Sequence, residues 1–251
     1  MLPAQRQLEK KNDYQAEEHP FMQGLHGKAK LQYLWDYYKL PLAVAAIIFY
    51  IALYAAYHHF THKDTALYAA LVNVAVGDTL TEELSSQFLT EQNLNPAKNT
   101  FSLYSGLYLT EDENNSYHEY TYASRMKILA SIDAEQLDVV FMNQEAFDAF
   151  SQKGYLYNLD ELLAEEAPAL FRQLAPYFVT NTEILEDNAE DLLFDGSAVY
   201  YAETAKYPMG LDLSESPFIK KGGFPETVYL GVIKNSPRPH MVFDYLEYLF
   251  S

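Results

Sequence analysis

Between Lys39 and Lys63 the chain reads KLPLAVAAIIFYIALYAAYHHFTHK, and no Asp, Glu, Lys or Arg falls from Leu40 to His62. As a helix rising about 1.5 Å per residue, the apolar stretch Leu40 to Phe60 covers roughly 31 Å, close to the hydrocarbon thickness of a bilayer. A surface helix of a soluble domain carries its apolar residues along one stripe, whereas this run is apolar all round. Tyr33, Trp35, Tyr37 and Tyr38 before it, and Tyr54, Tyr57 and Phe60 near its end, sit where aromatic belts form. Pro41 suits a helix start, where its missing N–H costs nothing. A cleaved signal peptide is the main competitor. It fits poorly, because 39 residues precede the run and no small-x-small site follows it closely.

Flanking charge gives an orientation. Lys28, Lys30 and Lys39 precede the span and only Lys63 follows within a comparable distance, so residues 1–39 are expected in the cytoplasm, residues 40–60 in membrane lipid, and residues 61–251 outside a cell membrane crossed once. The charge asymmetry agrees: residues 1–39 carry a net +1 and residues 61–251 a net −19, together the −18 of the whole chain. The first segment reads as a polar tail running into an interfacial helix through Leu31, Leu34, Trp35 and Tyr38.

A domain this acidic offers no clustered bases for phosphate, and nucleic acid is excluded as a partner. The chain has no Cys, which removes disulfides, thiol chemistry and lipoprotein attachment. The roughly 190 residues after the span suffice for one core without staples.

Periodicity predicts an α/β domain. Ala66–Val76 is a buried strand; Thr79 with Glu82 forms a capping box for a helix presenting Leu80, Leu84 and Phe88. Phe101–Leu109 is a second strand, and Tyr120–Ala134 a helix with Met126, Leu129 and Ala130 inward. Leu137–Met142 is a third strand, and Asn143 caps a helix that packs Phe147 and Phe150 and stops at Gly154. This alternation predicts right-handed crossovers, a mostly parallel sheet and flanking helices. Two short helices broken near Pro168 follow, then strand-like runs about an Asp195-Gly196 turn, a Pro and Gly rich loop from Tyr207 to Pro225, a strand at Glu226–Asn235 and a final helix presenting Val242, Tyr245, Leu246 and Leu249.

AEQLDVVFMNQEAFDAFSQKGYLYNLDELL (Ala134 to Leu163) resembles the strand, helix and Leu-Asp-Glu-Leu-Leu turn of extracytoplasmic type 2 solute-binding proteins. GVIKNSPRPHMVFDYLEYLF (Gly231 to Phe250) is similar to their closing strand and helix, with Asn235-Ser236 introducing the helix. YPMGLDLSESPFI (Tyr207 to Ile219) is similar to a loop of single-span surface proteins of anaerobic Gram-positive bacteria that carry a reduced version of the domain. The resemblance implies a periplasmic-binding-protein-like lobe, with the second lobe either reduced to about 168–207 or missing.

The chain lacks the nucleophile elbow, the phosphate-binding glycine loops and the zinc-protease helix motif. The expected role is therefore binding without catalysis, of a small solute or a neighbouring membrane protein, with no cofactor and no metal. Two alternatives stand beside it: an accessory subunit of a transport or secretion complex with no ligand cleft, and a surface hydrolase pairing carboxylates such as Asp138 and Glu145. His58, His59 and His62 have a spacing that metals accept, but also suit an interface beside aromatic residues. Asp112, Asn114 and Ser116 open like a calcium loop, yet Tyr117 and Ala123 stand where Gly and Glu are needed. Asn114-Asn115-Ser116 is a formal glycosylation acceptor. Among 22 tyrosines, Tyr68, Tyr229 and Tyr245 belong to apolar runs and read as core. Tyr104, Tyr108, Tyr155, Tyr157, Tyr200 and Tyr201, with Asn143 and Gln144, are the candidate ligand residues, because ligands of open α/β sheets gather beyond the strands' carboxyl ends.

Overall fold

A computed structural model describes residues 27–194, 199–216, 224 and 226–251. It divides into two units, the first ending at His62 and the second running from Lys63 to Ser251.

The first unit is a helix, α1 (Lys28–Thr61), within which Tyr38–Thr61 is long and apolar enough to cross a membrane. The stretch from Lys28 and the apolar run form one continuous helix, and Pro41 lies inside it rather than at its start. The break in bonding that a proline imposes is tolerated in a spanning helix, where neighbouring groups re-satisfy the freed carbonyl.

The second unit is a six-stranded sheet between two layers of helices. Its strands are β1 (Asp64–Val72), β2 (Asn99–Leu107), β3 (Val139–Met142), β4 (Phe178–Asp187), β5 (Ala202–Asp212) and β6 (Tyr229–Val232), in the order β2-β1-β3-β6-β5-β4. Helix α2 runs from Asp78 to Glu91 through a π-helical turn at Glu83–Gln87, and α3 is His118–Asp133. Next come α4 (Gln144–Gln152), α5 (Leu159–Glu166), α6 (Pro168–Leu174), α7 (Ala189–Phe194) and α8 (Pro239–Leu249). Strand alternation divides the interior in two. Leu67, Ala69, Leu71, Val139, Phe141, Leu230 and Val232 face the core closed by α2, α5, α6 and α8. Ala70, Val72, Val140 and Met142 face the opposite core, closed by α3 and α4. Strands buried on both faces read as continuous apolar runs, which is why β1 and β3 were legible.

The α/β class holds, but the sheet is mixed. β1 lies parallel to β2 and β3, whereas β3–β6, β6–β5 and β5–β4 are antiparallel. Parallel pairing persists only while helical crossovers separate consecutive strands. β4 and β5 form a long antiparallel ribbon instead, and β5 meets β6 only at Leu211 and Asp212. Beyond them the same edge of β6 bonds Tyr155–Tyr157, through Tyr157 N–H to the Val232 carbonyl and Lys234 N–H to the Tyr155 carbonyl. Residues 168–207 thus extend the one sheet rather than build a second lobe.

Other local readings are corrected. Gly77, not Thr79, precedes α2, with no side-chain cap; Asp78 takes the first turn, where the helix dipole favours an acid. Leu80, Leu84 and Phe88 are buried as expected, and the wider π turn keeps this four-residue spacing on one face. In α3 the inward residues are Thr121, Ser124, Ile128 and Ile132, while Met126 is exposed. The polar pair belongs inside because Thr121 Oγ1 and Ser124 Oγ accept the Thr110 and Tyr108 N–H groups. Leu192 to Phe194 are helical, not a strand, and the Asp195-Gly196 turn lies outside the described residues. Tyr207–Asp212, read as loop, belongs to β5, where Gly210 leaves room for the Phe147 ring: a Cβ there would meet it at 2.8 Å.

α8 carries a titratable pair in the first core. Tyr245 donates to the Leu84 carbonyl at 3.0 Å and Tyr248 to the Glu83 carbonyl at 2.6 Å. Burial, then Tyr248, pushes the Tyr245 phenol well above its usual range; burial, then Glu91 and Glu83, pushes up that of Tyr248. An acid whose folded pKa is raised binds its proton more tightly in the native state, so its contribution is whole below the unfolded value of about 10 and is lost at higher pH. The thermal midpoint is therefore expected to drop above pH 10, and to drop less steeply in Tyr245→Phe. A parallel fall in both proteins would remove this pair as the cause.

Candidate functional site

The carboxyl ends of β1, β2 and β3 carry the polar residues expected there, but bind them to one another. Asn73, at φ 57°, accepts the Leu109 N–H at 2.8 Å and donates to the Leu109 carbonyl at 2.6 Å and to Asn143 Oδ1 at 3.1 Å. Asn143 caps α4 through the Ala146 N–H at 3.0 Å. This amide pair ties three strand ends together and occupies the side-chain oxygen of Asn143.

The other candidates scatter. Gln144 is exposed and bonds Asp148 at 2.7 Å. Tyr108 stacks on Tyr117 with centroids 4.1 Å apart. Tyr104 stacks on Tyr68 under the Lys127 ammonium, and burial raises its phenol's pKa, as does Tyr68. Tyr200 and Tyr201 lie at the far end of the β4–β5 ribbon, where Leu185 and Val199 are exposed with them. Tyr201 is held there by its N–H, which donates to Asn188 Oδ1, and by its carbonyl, which accepts the Asn188 N–H. Burial first, then Asp187, which it bonds, raises the pKa of Tyr200.

Among the candidates Tyr155 lines a substantial concavity formed by described residues. Between α3 and α4 runs a groove of about 610 Å³, floored by Leu109, Ile128, Leu129 and Phe150. Its rim holds Glu111 and Arg125, paired at 2.6 Å, with Glu145, Asp148, Gln152 and Lys153. Helical spacing builds both walls: Arg125, Ile128 and Leu129 are three and four apart on α3, and Glu145, Asp148, Ala149, Gln152 and Lys153 make one stripe along α4. The other face of α4, with Ala146 and Phe147, is sealed in the core. Glu145 accepts the Glu111 N–H at 3.0 Å, and Asp148 accepts from Asn181 at 2.9 Å. Burial, then Asp133, raises the Tyr155 phenol's pKa against a lowering by Arg125. Sequence reasoning named Glu145 only as one of a carboxylate pair and did not group it with Asp148, Gln152 and Lys153 in the α4 stripe. Its signal was an acid-to-base order along one face, Glu145 to Lys153, next to an apolar Ile128-Leu129 pair.

A smaller concavity of about 390 Å³ lies where Tyr157, Asn158 and Glu161 approach Tyr207, Leu185 and the Lys234–Glu183 ion pair of 2.7 Å. The carboxylate pair Asp138 and Glu145 does not share either one. Asp138 is fully buried before β3, bound to Arg238 Nε at 2.9 Å, the Tyr68 N–H at 2.8 Å and the Ser236 hydroxyl at 2.5 Å, whereas Glu145 lies past the other end of that strand. At the end of α1, the His58 and His62 rings stack at 5.4 Å while His59 lies against Phe60. Among the described residues no group of three or more His, Asp or Glu is placed to hold a metal. Asp112 Oδ1 accepts both the backbone and side-chain N–H groups of Asn114, closing the calcium-like loop on itself.

No family model matches the chain, and no curated protein matches it. Among solved structures, a substrate binding domain assigned to a molybdenum ABC transporter of Clostridium difficile aligns at 12% identity and a TM-score of 0.31, over 75% of this chain and 93% of that one. The C206 mutant of Corynebacterium glutamicum OxyR aligns at 12% identity and a TM-score of 0.26, over 90% of this chain and 74% of that one. Overlap this loose assigns no ligand and no role; the described residues present a mixed α/β domain with an open, apolar-floored groove and a membrane-length helix.

Proposed function

We propose that α1 anchors the chain in a cell membrane with residues 61–251 outside, and that this outer domain binds a ligand in the α3–α4 groove without transforming it. The groove carries the reading: about 610 Å³ lies within the range of small-ligand sites, and an apolar floor with a few polar rim groups is their usual lining. The helix supports the anchor, since its apolar side chains from Leu40 to Phe60 stand exposed on every face. In intact cells, protease is expected to remove the outer domain and spare an N-terminal tag; cleavage of the tag instead would reverse the topology.

The binding reading is tested on the full chain in detergent micelles, by a thermal-shift screen against oligosaccharides, short peptides, amino acids and divalent metals. A ligand at 100 times its dissociation constant adds about 2.7 kcal/mol. Ala149→Trp, which fills the groove from its α4 wall, is expected to abolish the shift while leaving the unliganded midpoint nearly unchanged. A second reading, docking onto a membrane protein neighbour, is favoured by the exposed Leu185, Val199, Tyr200 and Tyr201 at the ribbon end. A flat screen together with a crosslink from Tyr201 to such a neighbour would replace the first reading with the second.

A further inference from the structure

We infer that the α3–α4 groove takes a short extended peptide with both termini free, its amine toward Glu145 and Asp148 and its carboxylate toward Lys153. The inference rests on the groove being the ligand seat and names what fits it.

The charge order of the α4 stripe is the first argument. Glu145 and Asp148 stand at one end, Gln152 and Lys153 at the other. The remaining charges on the rim, Arg125 and Glu111, neutralise one another in their 2.6 Å pair. Among the described residues Glu145 and Asp148 have no ion-pair partner and accept hydrogen bonds from neutral donors, the Glu111 N–H and the side-chain amides of Gln144 and Asn181. Among the described residues Lys153 has no ion-pair partner. Tyr155 adds a phenol to the lining, its pKa raised by burial and then by Asp133 against a lowering by Arg125.

Length is the second argument. Glu145 and Lys153 are eight residues apart on a helical stripe, which at a 1.5 Å rise separates them by about 12 Å. An extended chain advances about 3.3–3.6 Å per residue, so roughly three residues place opposite termini at the two ends. The floor of Leu109, Ile128, Leu129 and Phe150 offers such a peptide contact for apolar side chains. An oligosaccharide of equal length has no terminal charges to match, and a single amino acid cannot reach both ends.

The test titrates the full chain in detergent micelles with Leu-Leu-Leu, its N-acetylated and its C-amidated forms, and maltotriose. Free Leu-Leu-Leu is expected to raise the thermal midpoint, and acetylation or amidation to weaken binding at least tenfold. Glu145→Gln with Asp148→Asn should erase the preference for the free amine and keep that for the carboxylate; Lys153→Gln should do the reverse. Equal binding of blocked and free peptides would overturn the inference. So would a shift by maltotriose, or by another class from the wider screen, that Ala149→Trp abolishes while the peptides give none; the groove would then stand as the site with a different occupant. Absence of any shift sensitive to Ala149→Trp, for every class, would overturn groove and peptide together.

Discussion

Asp138→Ala is expected to destabilise the α/β domain by about 3–5 kcal/mol, the range for breaking a buried ion pair by removing one partner. Asp138 is 0% exposed and takes three donors: Arg238 Nε, the Tyr68 N–H of β1 and the Ser236 hydroxyl ahead of α8. The carboxylate thus joins β1, β3 and the closing helix at one point. Arg238 is fixed further by the Glu135 carbonyl at 3.0 Å and by stacking over Tyr68 at 4.9 Å. Removing the acid strands a guanidinium whose side chain is 24% exposed, and leaves a buried N–H without its acceptor. Since domains are stable by only about 5–15 kcal/mol, much of the margin goes with it. Urea unfolding of the full chain in micelles, followed by tyrosine near-ultraviolet circular dichroism, reads the loss. Asp138→Ala with Arg238→Met should recover part of it, because the second change removes the uncompensated charge. A single-variant loss under 1 kcal/mol would show that water reaches the site and that the clamp is not what joins these elements.

Phe88→Ala is expected to cost about 3–5 kcal/mol by the same measurement, as large-to-small changes of buried aromatics do. Phe88 is 0% exposed on α2 and sits at the centre of a ring cluster. Its centroid lies 4.9 Å from Tyr245 and 5.4 Å from Tyr248, both on α8, and 6.0 Å from Phe101 on β2. The cavity would open where both tyrosines bond the π turn of α2 through the Leu84 and Glu83 carbonyls, so those hydrogen bonds would loosen with it. Phe88→Leu, which keeps most of the volume, should cost less than half as much. Equal costs would place the loss in ring geometry rather than in the void.

Residues whose role depends on their own neighbours in the chain were legible. Leu80, Leu84 and Phe88 declared a buried face, Asn143 a cap, Gly154 at φ 68° a left-handed stop, and Val242, Tyr245, Leu246 and Leu249 the inner face of α8. The misreadings share a cause. Thr121 and Ser124 look like solvent residues until the loop after β2 brings two unpaired N–H groups to them. The β4 run FVTNTEILED carries too many polar residues to announce itself, since only β5 and the edge of the sheet give it partners. The candidate ligand residues were chosen one segment at a time, so only Tyr155 met the groove, whose walls come from α3 and α4, while Tyr200 and Tyr201 fell at the ribbon end.

The sequence by itself determined the membrane-length helix, the acidity of the domain after it, the exclusion of disulfide and thiol chemistry, and the α/β class. Each of these follows from composition or from a period of a few residues, which the chain carries locally. Only the tertiary structure decided that residues 168–207 join the same sheet, that Asp138 is a structural clamp rather than a reacting acid, and that an α4 face ordered from Glu145 to Lys153 overlooks an apolar floor. Those outcomes depend on pairing, burial and charge contributed by residues up to a hundred positions apart, as Arg238 is from Asp138. No local period encodes them.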